Sequence, residues 1–120
     1  MGEVSDEDRK LVTLARSARA RAGTDQGAAV RDVDGRTYAA PGVHLGSLHL
    51  SALQVAVVMA AASGVDRLEA AVLVGDVMAG ADPMAVDAEG VLAVRDLSPS
   101  TGVFLATVDG EVVGHGYKEE

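Results

Sequence analysis

The chain has 120 residues, room for one compact domain with one core and too little for two ordinary ones. Ten Lys and Arg against 18 Asp and Glu leave a formal net charge of −8, a field that repels nucleic-acid phosphates and anionic membrane surfaces. With no cysteine, neither a disulfide framework nor a thiolate metal site can form, and one Phe, two Tyr and no Trp leave almost no platform for base stacking.

The opening stretch, MGEVSDEDRK, is acidic where a secretory signal is basic and then apolar, so a cytoplasmic protein is expected. Ser5 can cap a first helix with Asp6, Glu7 and Asp8 in its first turn and arginines near its end, signs that suit the helix dipole. Leu11, Leu14, Ala15, Ala18 and Ala22 share one face of it, and Gly23 ends it. Two extended stretches follow, over 28–33 and 36–40, joined by Asp34-Gly35. That dipeptide signals a two-residue hairpin whose central positions both take positive φ. The same device recurs at Asp109-Gly110, between stretches over 102–108 and 111–114.

Between the hairpins lie an apolar helix over 50–63, a β-like run over 69–75 (EAAVLVG) and a third helix. The third helix starts at Asp82-Pro83, with Asp as cap and Pro at the first helical position, and fades near Asp96 before Ser98-Pro99-Ser100. Gly90 weakens its middle by roughly 1 kcal/mol relative to Ala. The order α-β-β-α-β-α-β-β predicts one domain over residues 1–120, a three-layer α-β-α sandwich around a mixed central sheet.

Only Ser51, Gln54 and Ser63 interrupt the apolar character of the helix over 50–63. Such a helix needs cover on nearly every side, and a domain this small supplies one layer more easily than two. A subunit interface is the natural second cover, so a homo-oligomer built through this helix, or a protein partner seated on it, is expected. The run is well short of the ~20 residues a membrane span requires.

GAAVRDVDGRTYAA (27–40), SALQVAVVMAAASG (51–64) and AAVLVGD (70–76) together resemble the small zinc-dependent cytidine deaminases. In that family a Val-Gly-Ala-Ala strand and an Asp-Gly hairpin lead to a helix opening with Cys-Ala-Glu, and a second helix opens with Pro-Cys-x-x-Cys. The resemblance implies a cytidine deaminase-like fold. It also implies a hydrolytic site in which three Cys or His ligands hold zinc and a non-ligand Glu carries protons. In this chain the Cys-Ala-Glu positions hold Ser51, Ala52 and Leu53. The second motif falls on Ala85, Val86, Asp87, Ala88 and Glu89, so Val86 and Glu89 stand where thiolates would. The family's ribose-gripping Asn and Glu fall on Gly42 and His44, and the aromatic before its Gly-Ala-Ala strand falls on Thr24.

The leading expectation is therefore a cytidine deaminase-like protein without zinc or zinc-dependent catalysis, acting through assembly. A second is a binding module for a nucleoside or small anion, its pocket marked by Thr24, Gly42, His44 and Ser51 at converging helix N-termini, though Leu53 and Val86 are expected to fill the vacated space. A third places a metal on His49 in a shifted register, with Asp87 and Glu89, in a hydrolase of unfamiliar type. The plainer expectation for His44 and His49 is that they flank a loop, and His115 has no assigned role.

Overall fold

A computed structural model describes residues 4–116. Its first helix, α1 (Asp6–Ala22), is capped as the sequence predicts. The Ser5 hydroxyl accepts from the Asp8 amide, and Gly23 closes the helix in the left-handed conformation, donating its N–H to the Arg19 carbonyl. Strands β1 (Gly27–Asp32) and β2 (Thr37–Pro41) follow as an antiparallel hairpin. A small ribbon, β3 (Val43–His44) paired with β4 (His49–Leu50), leads into helix α2 (Ala52–Ala62). After strand β5 (Leu68–Val74) come helices α3 (Pro83–Val86) and α4 (Ala88–Leu97), then strands β6 (Val103–Ala106) and β7 (Val112–Gly116).

The sheet order is β2-β1-β5-β6-β7. Only β5 and β6 run parallel, joined by the crossover through α3 and α4, so the sheet is mixed as expected. Its two central strands alternate side chains between two cores. Ala28, Val30, Ala71 and Leu73 face α2 and α4, with Leu53, Ala56, Val91 and Val94 opposite them. Ala29, Ala70, Val72 and Val74 face the other way, toward Leu11, Val12 and Ala15 of α1. The result is the three-layer α-β-α sandwich that the element order predicts.

Four buried polar residues, Arg31, Asp32, Ser98 and Thr101, fasten the elements to one another. Arg31 on β1 donates to Glu69 at 2.7 Å, to Asp8 at 3.0 Å and to the Glu7 carbonyl at 3.2 Å, tying β5 and α1 to one guanidinium. Burial by itself would raise the pKa of the Asp32 carboxyl, but donors from the Arg36 and Asp34 amides and the Tyr38 hydroxyl outweigh it and hold the group below its ordinary value. At this same end of β5, the hydroxyls of Ser98 and Thr101 both engage the backbone of Leu68, pinning the exit of α4 to the sheet. The Gly80 amide donates to the Val113 carbonyl at 2.7 Å, so the loop before α3 lies over the outer edge of β7.

Three local expectations change. Neither hairpin is a two-residue turn with two positive φ angles, because among the described residues only glycines take positive φ. Asp34 and Asp109 keep ordinary conformations. The Gly35 amide donates to the Asp32 carbonyl and the Gly110 amide to that of Thr107, giving four-residue turns whose last residue is a glycine with positive φ. The side chains of Asp32 and Thr107 stabilise these turns by accepting from amides two and four residues on. The third helix is two helices, split at Asp87, whose carboxylate caps the second of them through the Gly90 amide at 3.0 Å. An aspartate that bonds its own downstream backbone competes with helix continuation, and here it wins. Last, the ribbon β3–β4 stands where the sequence suggested loop. VHLGSLHL reads nearly the same in both directions about Gly46-Ser47, and the Leu45 amide closes on the Leu48 carbonyl.

Gly27 opens β1 beneath α1 so closely that a Cβ there would press on the Ala15 carbonyl and lie 2.8 Å from the Arg19 amide. Gly27→Ala must push α1 off the sheet and is expected to cost about 1–3 kcal/mol. An unchanged urea midpoint would mean that helix and strand are not in such contact.

Candidate functional site

Helix α2 begins with a reciprocal cap. The Ser51 hydroxyl accepts from the Gln54 amide at 3.1 Å while the Gln54 side chain accepts from the Ser51 amide at 2.9 Å. Helix α4 begins at Asp87, whose second carboxylate oxygen is buried without a hydrogen-bond partner among the described residues. The two helix starts abut: a Cβ on Gly90 would press on the Asp87 carboxylate and lie 2.8 Å from the Leu53 Cβ. Leu53 is fully buried in the core between them, and Val86 packs against the same cluster.

Beside this junction an open cleft of about 330 Å³ remains. Thr24, Gly42, His44 and Ser51, the four positions the sequence marks as a pocket, all line it, together with His49, Gln54 and Glu89. The expectation of a wholly filled space is thus corrected in part. Leu53 fills the interior between the helix starts, while the ribbon β3–β4 and residues 24–26 hold walls apart outside it. His44 and His49 flank the loop over 45–48, exposed as the plainer expectation has them, and are direct cross-strand partners with ring centres 5.7 Å apart and inclined by 53°. His115, on β7, stacks on Phe104 at 4.6 Å, away from the cleft.

The split at Asp87 places the two residues matched to thiolates on either side of a helix boundary. The positions three apart at the opening of α4 are Asp87 and Gly90, whereas Val86 closes α3 and Glu89 lines the cleft. Nothing in the sequence foretold the split except the capping preference of Asp87 itself. The alternative metal set of His49, Asp87 and Glu89 is not assembled: among the described residues no group of three or more His, Asp or Glu side chains is placed to hold a metal ion. Asp87 caps α4 and does not line the cleft that His49 and Glu89 share.

A hydrolytic zinc centre of the deaminase type takes three Cys or His ligands and leaves a fourth position open. At the two helix openings this chain offers the Ser51 hydroxyl, the Asp87 carboxylate and, at Gly90, no side chain. One oxygen of each polar group is already committed to a helix cap. Leu53, which the resemblance matches to the proton-carrying Glu, has neither a titratable group nor access to solvent. These residues do not fit that metal at that place.

Comparison with known proteins agrees with the architecture. Residues 4–110 match the family model described as cytidine deaminase-like. Among solved structures, the cytidine deaminase of Burkholderia pseudomallei is similar with a TM-score of 0.72 at 23% identity, over 91% of this chain and 90% of that one. The cytidine deaminase of Mycobacterium leprae is similar with a TM-score of 0.61 at 22% identity, over 92% of this chain and 95% of that one. Likeness at such identities speaks for the fold alone. None of the curated proteins matches the chain. With its sandwich, its paired helix starts and a family match over nearly all of its length, the chain belongs to the cytidine deaminase-like family.

Proposed function

We propose that this chain is a cytidine deaminase-like domain that does not work as a zinc deaminase and acts by assembling through α2, with a second copy or with a protein partner. The observation that carries this reading is the division of α2 into two apolar faces. Ala52, Leu53, Ala56, Val57 and Ala60 are buried in the domain, and Leu53 occupies the place of the catalytic acid. On the other side Val58 and Met59 are 52% and 40% exposed, and Ala61 and Ala62 are exposed beside them. An exposed helical face with no charge on it is a common signature of a surface meant to be covered.

A second reading rests on the cleft. The named relatives are cytidine deaminases, and Gly42 and His44, which the family resemblance matches to ribose-gripping residues, line an open space of about 330 Å³, the lower end of small-molecule sites. A nucleoside or small anion held there without chemistry is compatible with assembly through α2. Thermal-shift screening against nucleosides and nucleotides separates the two, because a ligand specific for the folded state raises the melting temperature. The acidic chain argues against nucleic acid as the partner, and no described helix is long and apolar enough to cross a membrane. A cytoplasmic location stays part of the proposal.

Three outcomes are expected. Purified protein supplied with zinc releases no ammonia from cytidine above a protein-free control, and turnover would overturn the proposed silence. Val58→Asp together with Met59→Lys shifts the mass measured by light scattering from an assembled species to the monomer without lowering the melting temperature. A wild type that is already monomeric at high concentration, alone and with cell extract, removes the case for assembly. Leu53→Glu, which restores the family's acid without its metal, buries an unpaired carboxyl and destabilises the fold by several kcal/mol. Equal stability would place position 53 in solvent.

A further inference from the structure

We propose that the imidazoles of His44 and His49 form a two-nitrogen chelate for a borderline divalent cation such as Zn²⁺ or Ni²⁺, with the ion's remaining coordination positions open to the cleft. This site is separate from the helix openings where the family's motifs fall. It does not depend on the assembly reading.

The geometry comes from the ribbon. His44 and His49 are direct partners in the antiparallel register of β3 and β4, so both side chains leave the same face of one short hairpin. With metal–nitrogen distances of about 2.0–2.1 Å, a bound ion lies roughly 3.2 Å from each ring centre. Two rings on one ion, at tetrahedral or somewhat wider angles, then stand about 5–6 Å apart. The observed separation is 5.7 Å, with the rings inclined by 53°. Two further features favour the chelate. Among the described residues neither ring takes part in a hydrogen bond or ion pair, so no bond has to be broken before a ring nitrogen can bind a metal. Gly42 leaves space for this arrangement, since a Cβ there would stand 3.3 Å from the Nε2 atom of His44.

Imidazole nitrogen selects the borderline ions over Mg²⁺ and Ca²⁺, which take oxygen. Two protein ligands leave at least two positions for solvent or for an oxygen-bearing ligand in the cleft, on whose wall Ser51, Gln54 and Glu89 also lie. The absence of a third clustered His or carboxylate among the described residues makes this an open site, unlike a closed structural one.

The test is calorimetric titration of the full chain, freed of metal by chelator dialysis, with ZnCl₂ and with NiCl₂. One ion per chain is expected. His44→Ala and His49→Ala should each weaken binding by roughly 100-fold, because either change turns a chelate into a single ligand, while His115→Ala should leave affinity unchanged. Both rings are exposed on the ribbon, so unchanged melting temperatures of the metal-free variants will confirm intact folds. Cu²⁺ loaded in place of Zn²⁺ should show coupling to two equivalent imidazole nitrogens by electron paramagnetic resonance. The proposal is overturned if the wild type takes up neither ion, or if either single variant binds within about twofold of it. Cytidine turnover, by contrast, would bear on the silent deaminase and not on this site.

Discussion

The fold depends on how closely helices can approach a sheet whose centre is made of small side chains. β1 and β5 are buried on both faces, and they meet that demand with Gly27, Ala28, Ala29, Ala70, Ala71 and a few Val and Leu. Alternation then feeds two separate cores from one pair of strands, one under α1 and one under α2 and α4. Small residues bury little area each, so stability must come from many close contacts. The low aromatic content follows from the same constraint. A large ring between β1 and α1 would demand the separation that Gly27 is there to prevent.

Much of this was legible in the sequence because the signals were local and chemical. Ser5 and Gly23 delimit α1, the Val- and Ala-rich run over 69–75 marks the central strand, and Asp-Gly pairs mark both hairpins. What the sequence reading missed was decided by competition between neighbouring bonds. Asp34-Gly35 suits more than one turn, and the Asp32 side chain, by accepting two downstream amides, favours the longer one. Asp87, read as a candidate ligand within one continuous helix, ends one helix and begins another with its carboxylate as cap. That break sets which residues stand at the opening of α4. The four pocket positions drawn from the family resemblance do share a cleft. Their walls were not readable, because the ribbon that builds one of them is held by only two residue pairs.

The paired helix starts carry their own acceptors. A thiolate at a helix opening receives the field of the helix and the metal together. With or without a metal, a helix opening needs an acceptor for its free amides. Ser51 and Asp87 supply one each, with Gln54 completing the cap on α2. The family's metal-anchoring architecture and this chain's self-capped architecture are thus two answers to one electrostatic demand. Leu53 then occupies the space between them as core.

The loop laid across β7 settles how the sheet meets its neighbours. With Gly80 bonded to Val113, that margin of the sheet presents fewer free backbone groups, and β2 is left as the open margin. In the five-stranded sheet the two margins are therefore unequal, and a strand arriving from outside meets more competition for backbone partners at Val113 than along β2.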